Sequence, residues 1–244
     1  MPDFAFENAV RDKAVNARFF SDDKLSDLIV GVDEAGCGPW AGPVVAGAVA
    51  FFNHNQLPSC LENLLDDSKS LTKLKRDKAF SALTGMTPGD LVVNHSANTF
   101  IINESCEPTK ETLWIWGIGV AQVCEIDLLN IRQATLLAMK RAVESLNIQP
   151  AHGLVDGISK PDLSCPVTTI KKGDTLSYSI AAASILAKVY RDCLMADLSK
   201  LFPLYGWAKN AGYGTKAHQS ALDQQGVTPH HRKSFKPIAM RLAQ

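Results

Sequence analysis

Four acids in this chain share one habit. Asp33, Glu34, Asp156 and Asp174 each lie at or just past the end of a short apolar run. Carboxylates are costly to place in apolar surroundings unless something neutralises them, and acids on neighbouring strand ends repel one another. A cation answers both problems. Oxygen-only donors favour a hard divalent ion, Mg2+ or Mn2+, over zinc. Two such ions about 3.5–4 Å apart would activate water and stabilise the leaving oxygen in phosphodiester hydrolysis. Glycines flank three of the acid positions (Gly31 and Gly36, Gly157, Gly173), and glycine permits close approach of a backbone or a ligand. Successive strand residues point to opposite faces, so Asp33 and Glu34 share a site only if their strand bends or ends there. Spacing alone leaves a shared metal site and ordinary acids near turns both open.

The elements that must carry these acids can be placed by pattern. Leu28–Val32 and Val44–Phe52 are β-branched and apolar and read as strands. The link between them is too short for a parallel crossover, so they form an antiparallel hairpin. Leu71–Leu83 is charged and helix-like. Two strand-like pieces, LVVNHS and TFIIN, fall around Leu91 to Ile102, and Trp114–Val120 is another strand. One long helix is expected from about Asp127, as N-cap, to Leu146, with Ile131, Thr135, Ala138, Met139, Ala142 and Val143 along one face. Gly153–Val155 and Val167–Ile170 read as short strands. Ser177–Leu201 reads as a second long helix packing through Ala181, Ala182, Ala183 and Ala187. The result is an α/β chain, a mixed sheet flanked by helices. Three parts are expected: an N-terminal arm over 1–27, either a short helix or a loose arm; a catalytic domain over 28–200; and a small basic helical appendage over 201–244.

Bulk properties narrow the class. The chain has 244 residues, enough for one sizeable core, and its 46% hydrophobic and 20% charged content is that of an ordinary globular protein. No apolar run approaches the ~20 residues of a membrane span. The opening residues carry Asp3, Glu7 and Asp12, which a secretory signal would not, so a cytoplasmic protein is expected. The six cysteines form no C-x-x-C pair and read as free thiols. Net charge is zero, but residues 188–244 hold nine Lys/Arg against three Asp/Glu. A basic C-terminal part beside an acidic body suits a phosphate backbone held against a metal-loaded carboxylate site; chance clustering on a solvated surface is the plain alternative.

The ordered motifs resemble bacterial ribonuclease HII from Leu28 to about Leu242. The matching elements are Gly31-Val32-Asp33-Glu34-Ala35-Gly36, Asp67-Ser68-Lys69, Glu125-Ile126-Asp127, Val155-Asp156-Gly157, Lys172-Gly173-Asp174, Ala182 to Lys188 with Arg191-Asp192, Gly212-Tyr213-Gly214-Thr215 and His230-His231-Arg232. The resemblance implies a ribonuclease H-like fold. It also implies Mg2+- or Mn2+-dependent endonuclease action on the RNA strand of RNA–DNA hybrids and at ribonucleotides embedded in DNA duplexes, leaving a 3′-hydroxyl and a 5′-phosphate. By match, Asp33, Glu34, Asp156 and Asp174 are the metal-binding catalytic acids. Gly36, Cys37 and Gly38 read the 2′-hydroxyl at the junction, Ser68 and Lys69 sit near the nucleic-acid backbone, and Tyr213 packs against the junction sugar. A monomer with no membrane partner is expected.

Two departures from the family pattern stand out. The family usually reads Gly-Arg-Gly where this chain has Gly36-Cys37-Gly38. Cysteine lacks the charge and the five donors of arginine, so weaker junction binding with persisting cleavage is expected. An oxidation-sensitive thiol beside the site is a second reading. About twenty residues around Leu91 to Lys110 exceed the compact family pattern and read as a surface hairpin or loop. His218, His230 and His231 are expected to make phosphate or structural contacts rather than to act as bases. The rival to an enzyme is a hybrid-binding protein on the same fold that has lost efficient catalysis; retention of all four acids favours the enzyme.

Overall fold

The two apolar runs at the start pair as their short link requires. The computed structural model of the protein describes residues 1–15, 27–66, 68, 70–91, 101–102 and 113–243. In it β1 (Ile29–Ala35) runs antiparallel to β2 (Val44–Phe51), with Val32 opposite Ala48 and Asp33 opposite Gly47. β4 (Trp114–Ala121) pairs antiparallel with β2, and β3 (Ile101–Ile102) with β4. β5 (His152–Asp156) lies parallel to β1, and β6 (Val167–Ile170) parallel to β5. The described strands form one mixed sheet in the order β3-β4-β2-β1-β5-β6.

A helix covers each face. α5 (Tyr178–Leu201) lies across β1 and β2, and its Ala181, Ala182, Ala183 and Ala187 are fully buried. A Cβ on Gly47 would stand 2.3 Å from the Ala183 carbonyl oxygen, so only glycine lets the helix come this close. On the opposite face α4 (Ile131–Glu144) packs on β4 and β2 through Ala134, Ala138 and Ala142. The long helix expected from Asp127 is two helices, α3 (Val123–Leu129) and α4. Asn130 stands between them at φ 69°, a left-handed value that breaks the helix, and its side chain caps α4 by accepting from the Gln133 amide. Asp127 therefore lies in the last turn of α3. Its carboxylate accepts from the amides of Lys233 and Ser234.

The N-terminal segment contains a helix, α1 (Ala5–Val15), anchored by the buried Phe4 ring against Phe51 and Tyr178. α2 (Lys73–Thr84) matches the charged helix, capped by Thr72 and ended by Gly85 at φ 73°. At the C-terminal end α6 (Trp207–Asn210), α7 (Lys216–Gln225) and α8 (Lys236–Leu242) alternate with turns. Trp207, Leu222 and Ile238 from these pieces are buried in the same apolar cluster as α5 and β2. Asp67, Lys69, residues 16–26 of the arm, the LVVNHS piece after Leu91 and most of the extra segment up to Lys110 lie outside the described residues.

Candidate active site

β1 keeps its pairing with β2 through Glu34 and ends at Ala35, one residue past its acids. The two carboxylates consequently leave the strand on opposite faces, as pleating demands. Asp33 points toward α5, where the Ser184 hydroxyl hydrogen-bonds it. Glu34 points to the α4 side, where its Oε1 accepts from the Cys37 thiol at 3.5 Å. It lines a cavity of about 340 Å3 with Cys37, Thr135, Met139 and Asp156.

β5 brings the third acid alongside. Val32 registers with Val155 across the parallel pair, so Asp33 and Asp156 follow next at the carboxyl ends of adjacent strands. This is where open α/β sheets place their sites. Asp156 Oδ1 accepts the Gly173 amide at 2.6 Å. Asp174 comes next in the chain, buried in the single turn Gly173–Thr175 that leads into α5. Burial pushes the Asp33 carboxyl well above the usual carboxylate range, and the nearby charges of Glu34 and Asp156 push it further. This local excess of negative charge fits a divalent cation, and the donors are all oxygen. Among the described residues no three His, Cys, Asp or Glu side chains form a group that could hold a metal ion as they stand.

The Gly36-Cys37-Gly38 loop is held from beneath by two buried arginines. Arg232 donates to the carbonyls of Gly36 at 2.6 Å, Cys37 at 3.0 Å, Gly42 at 2.9 Å and Pro43 at 3.2 Å. Arg191 donates to Pro43 at 3.0 Å, Ala211 at 3.0 Å and Ala41 at 3.2 Å. Among the described residues neither guanidinium has a carboxylate partner, and burial lowers their pKa values to about 9 and about 10 respectively. Sequence reasoning matched both to motifs without seeing a role. The one signal was a charged side chain, Arg191, on the otherwise uncharged buried side of an alanine-rich helix.

The Cys37 side chain turns inward. Its Sγ lies 3.3 Å from Thr135 Oγ1, and burial, reinforced by Glu34, raises the thiol pKa to about 11. A protonated, enclosed thiol is a poor target for oxidation. Ser68, expected at the nucleic-acid backbone, is also turned inward: it is buried, with its hydroxyl 2.8 Å from Ser184 Oγ. It therefore supports Ser184, which in turn bonds Asp33. Tyr213 is half exposed, and a Cβ on Gly38 would stand 3.3 Å from its ring, so the tyrosine and the glycine loop form one surface. His218 and His231 are fully buried.

A family model described as Ribonuclease HII matches residues 30–238. This chain belongs to the ribonuclease HII family. It is 44% identical over 216 residues to the ribonuclease HII of Paramagnetospirillum magneticum, covering 88% of this chain and 94% of that one. It is also 44% identical over 239 residues to that of Gluconobacter oxydans, covering 98% and 95%. Among solved structures, ribonuclease H2 from Pyrococcus horikoshii superposes with a TM-score of 0.62 at 24% identity, covering 87% of this chain and 96% of that one. Bst-RNase HIII in complex with Mn2+ superposes with a TM-score of 0.62 at 16% identity, over 89% and 70%. These two likenesses bear out the ribonuclease H-like α/β fold. Membership of the ribonuclease HII family makes the chain a hydrolase, an endoribonuclease of the ribonuclease H class acting on RNA–DNA hybrids. No helix among the described residues is long and apolar enough to cross a membrane.

Proposed function

We propose that this ribonuclease HII cuts at ribonucleotides embedded in DNA duplexes as well as in longer hybrids. In this reading Asp33, Glu34, Asp156 and Asp174 hold Mg2+ or Mn2+, and the products carry 3′-hydroxyl and 5′-phosphate ends. The observation that carries it is the side-by-side placement of Asp33 and Asp156 on adjacent parallel strand ends, with the Asp33 carboxylate disfavoured by burial and by its acidic neighbours. Bound divalent cations would supply Lewis-acid stabilisation of the phosphoryl oxygens and activation of water.

The protein's own groups do the rest. Ser184 and the Glu34 amide, which donates to Asp33 Oδ1 at 2.7 Å, fix the buried carboxylate. The Gly173 amide fixes Asp156. Arg232 takes the carbonyls of Gly36 and Cys37. In a trans peptide the following N–H points the opposite way, so the amides of Cys37 and Gly38 face away from the guanidinium. They are the donors we assign to a ribose 2′-hydroxyl, with the Tyr213 ring packed against the sugar. Lys69 contacts the nucleic-acid backbone in this reading, and the basic residues after Lys188 attract it.

The test is a duplex carrying one ribonucleotide, incubated with Mg2+ or Mn2+, with the cut mapped by end-group chemistry. Cleavage leaving a 2′,3′-cyclic phosphate, or cleavage indifferent to chelation, defeats the proposal.

A further inference from the structure

The family match begins at residue 30, so α1 and the residues before it lie outside it. They nevertheless dock on the turn that carries Asp174 and whose Gly173 amide holds Asp156. The Asp3 amide donates to the Leu176 carbonyl at 3.2 Å, and the Tyr178 amide donates back to Asp3 at 3.1 Å. Phe4 seals this junction against Tyr178 and Phe51. Glu7 then reaches in with full burial: its Oε1 accepts from Ser177 Oγ at 2.7 Å and from the Ser179 amide at 3.1 Å.

Ser177 joins two structures. Its hydroxyl accepts from the Ile180 amide as the N-cap of α5. Its own amide donates to the Gly173 carbonyl at 2.8 Å, closing the turn around Asp174. The other side of Gly173, its amide, holds the Asp156 carboxylate. Contacts thus run without a break from Glu7 through Ser177 and Gly173 to Asp156, with Asp174 inside the closed turn. Among the described residues Glu7 Oε2 is buried with no hydrogen-bond partner. Placing such a group is costly, so the carboxyl serves what Oε1 holds. A carboxylate at the start of a 24-residue helix also suits the helix dipole.

We propose that Glu7 is a positioning residue that holds the Gly173–Ser177 turn, and with it Asp156 and Asp174, in the geometry that receives the divalent cation. This rests on reading those acids as metal ligands. The full-length chain is compared with Glu7→Ala, Glu7→Gln and Ser177→Ala. Amide exchange at Gly173 and Ser177 is followed in metal-free protein, and Mn2+ binding without substrate is followed by electron paramagnetic resonance. Glu7→Ala should speed both amides and weaken Mn2+ binding about tenfold, the lower reach of outer-contact effects on metal sites. Glu7→Gln keeps an acceptor oxygen and should restore both. Ser177→Ala should reproduce the weakening if Glu7→Ala fails to fold.

A folded Glu7→Ala protein with a lower melting temperature but unchanged exchange and Mn2+ affinity overturns the proposal, because Glu7 would then only add stability. Wild-type protein that binds no Mn2+ overturns the metal reading itself; the exchange measurement, run metal-free, still decides whether Glu7 holds the turn.

Discussion

The imidazoles of His218 and His231 meet Nε2 to Nε2 at 3.0 Å in a fully buried setting. Their protons are fixed by what surrounds them. His231 Nδ1 accepts from the Thr228 amide, so its proton sits on Nε2 and is donated to His218 Nε2. Trp207 Nε1 donates to the same His218 nitrogen, which leaves His218 Nδ1–H to donate to the Tyr213 carbonyl at 2.9 Å. The relay works only with both rings neutral, and it ends on the residue assigned to the junction sugar.

Acidification should therefore destabilise the protein through this pair. Burial lowers both pKa values below the ordinary histidine value, His231 to about 3. The unfolded chain takes up protons near pH 6.5 while the folded chain refuses them, so stability is full above that pH and falls below it toward the folded values. Each such histidine contributes a slope of up to about 1.4 kcal/mol per pH unit. Urea unfolding at pH 7, 6 and 5 should be shallower in pH for His231→Gln than for the parent by about one proton; equal slopes would sink the idea.

Arg232→Lys should cost about 3 kcal/mol of stability, because several buried carbonyls of the Gly36–Pro43 loop lose their donor. Chemical denaturation measures this. At a temperature where the variant is folded, KM for a duplex with one ribonucleotide should rise more than KM for a long hybrid. A uniform change would mean the loop is not a reader of the junction.

Cys37 should react slowly. A thiol pKa raised from 9.0 to about 11 leaves about a hundredfold less thiolate at pH 8. Timed iodoacetamide labelling read by mass spectrometry should modify the exposed Cys60 and Cys124 well before Cys37. Cys37→Arg adds a guanidinium to the cavity that Cys37 lines with Glu34 and Asp156. It should tighten binding of a single-ribonucleotide duplex about fivefold, the equivalent of roughly 1 kcal/mol for an exposed charge contact.

Asp33→Asn should abolish metal-dependent cleavage yet raise metal-free stability by something on the order of 1 kcal/mol, since it removes a buried charge repelled by Glu34 and Asp156. Added Mg2+ should raise the melting temperature of the parent and not of the variant. A variant less stable than the parent would show that the acids do not strain one another.

Much of this was legible in the residues. Hydrophobic period and the short link after Val32 were enough for the β1–β2 hairpin, and the alanines of α5 marked the helix that presses on it. Asn130 was harder: a break that needs one residue at positive φ leaves no trace in apolar spacing, because Ile126 and Ala134 keep the helical period across it. The direction of Ser68 was invisible because its partner, Ser184, lies far away in the chain. The arginines beneath the loop were hidden for a related reason. Their partners are backbone carbonyls, which every residue type supplies, so no side-chain pattern announces them.

The place of β1 in the sheet sets a schedule. It lies between β2, its immediate successor, and β5, which is made only after more than half the chain. The apolar side of the hairpin that awaits α5 stays uncovered until residues 178–201 have been made. During synthesis, which proceeds from the N-terminus, Asp33 emerges long before Asp156 and Asp174 and has no neighbouring acid but Glu34. A ribosome-bound fragment would thus carry two of the four acids, and its bare hairpin would be the surface on which a trapped nascent chain aggregates.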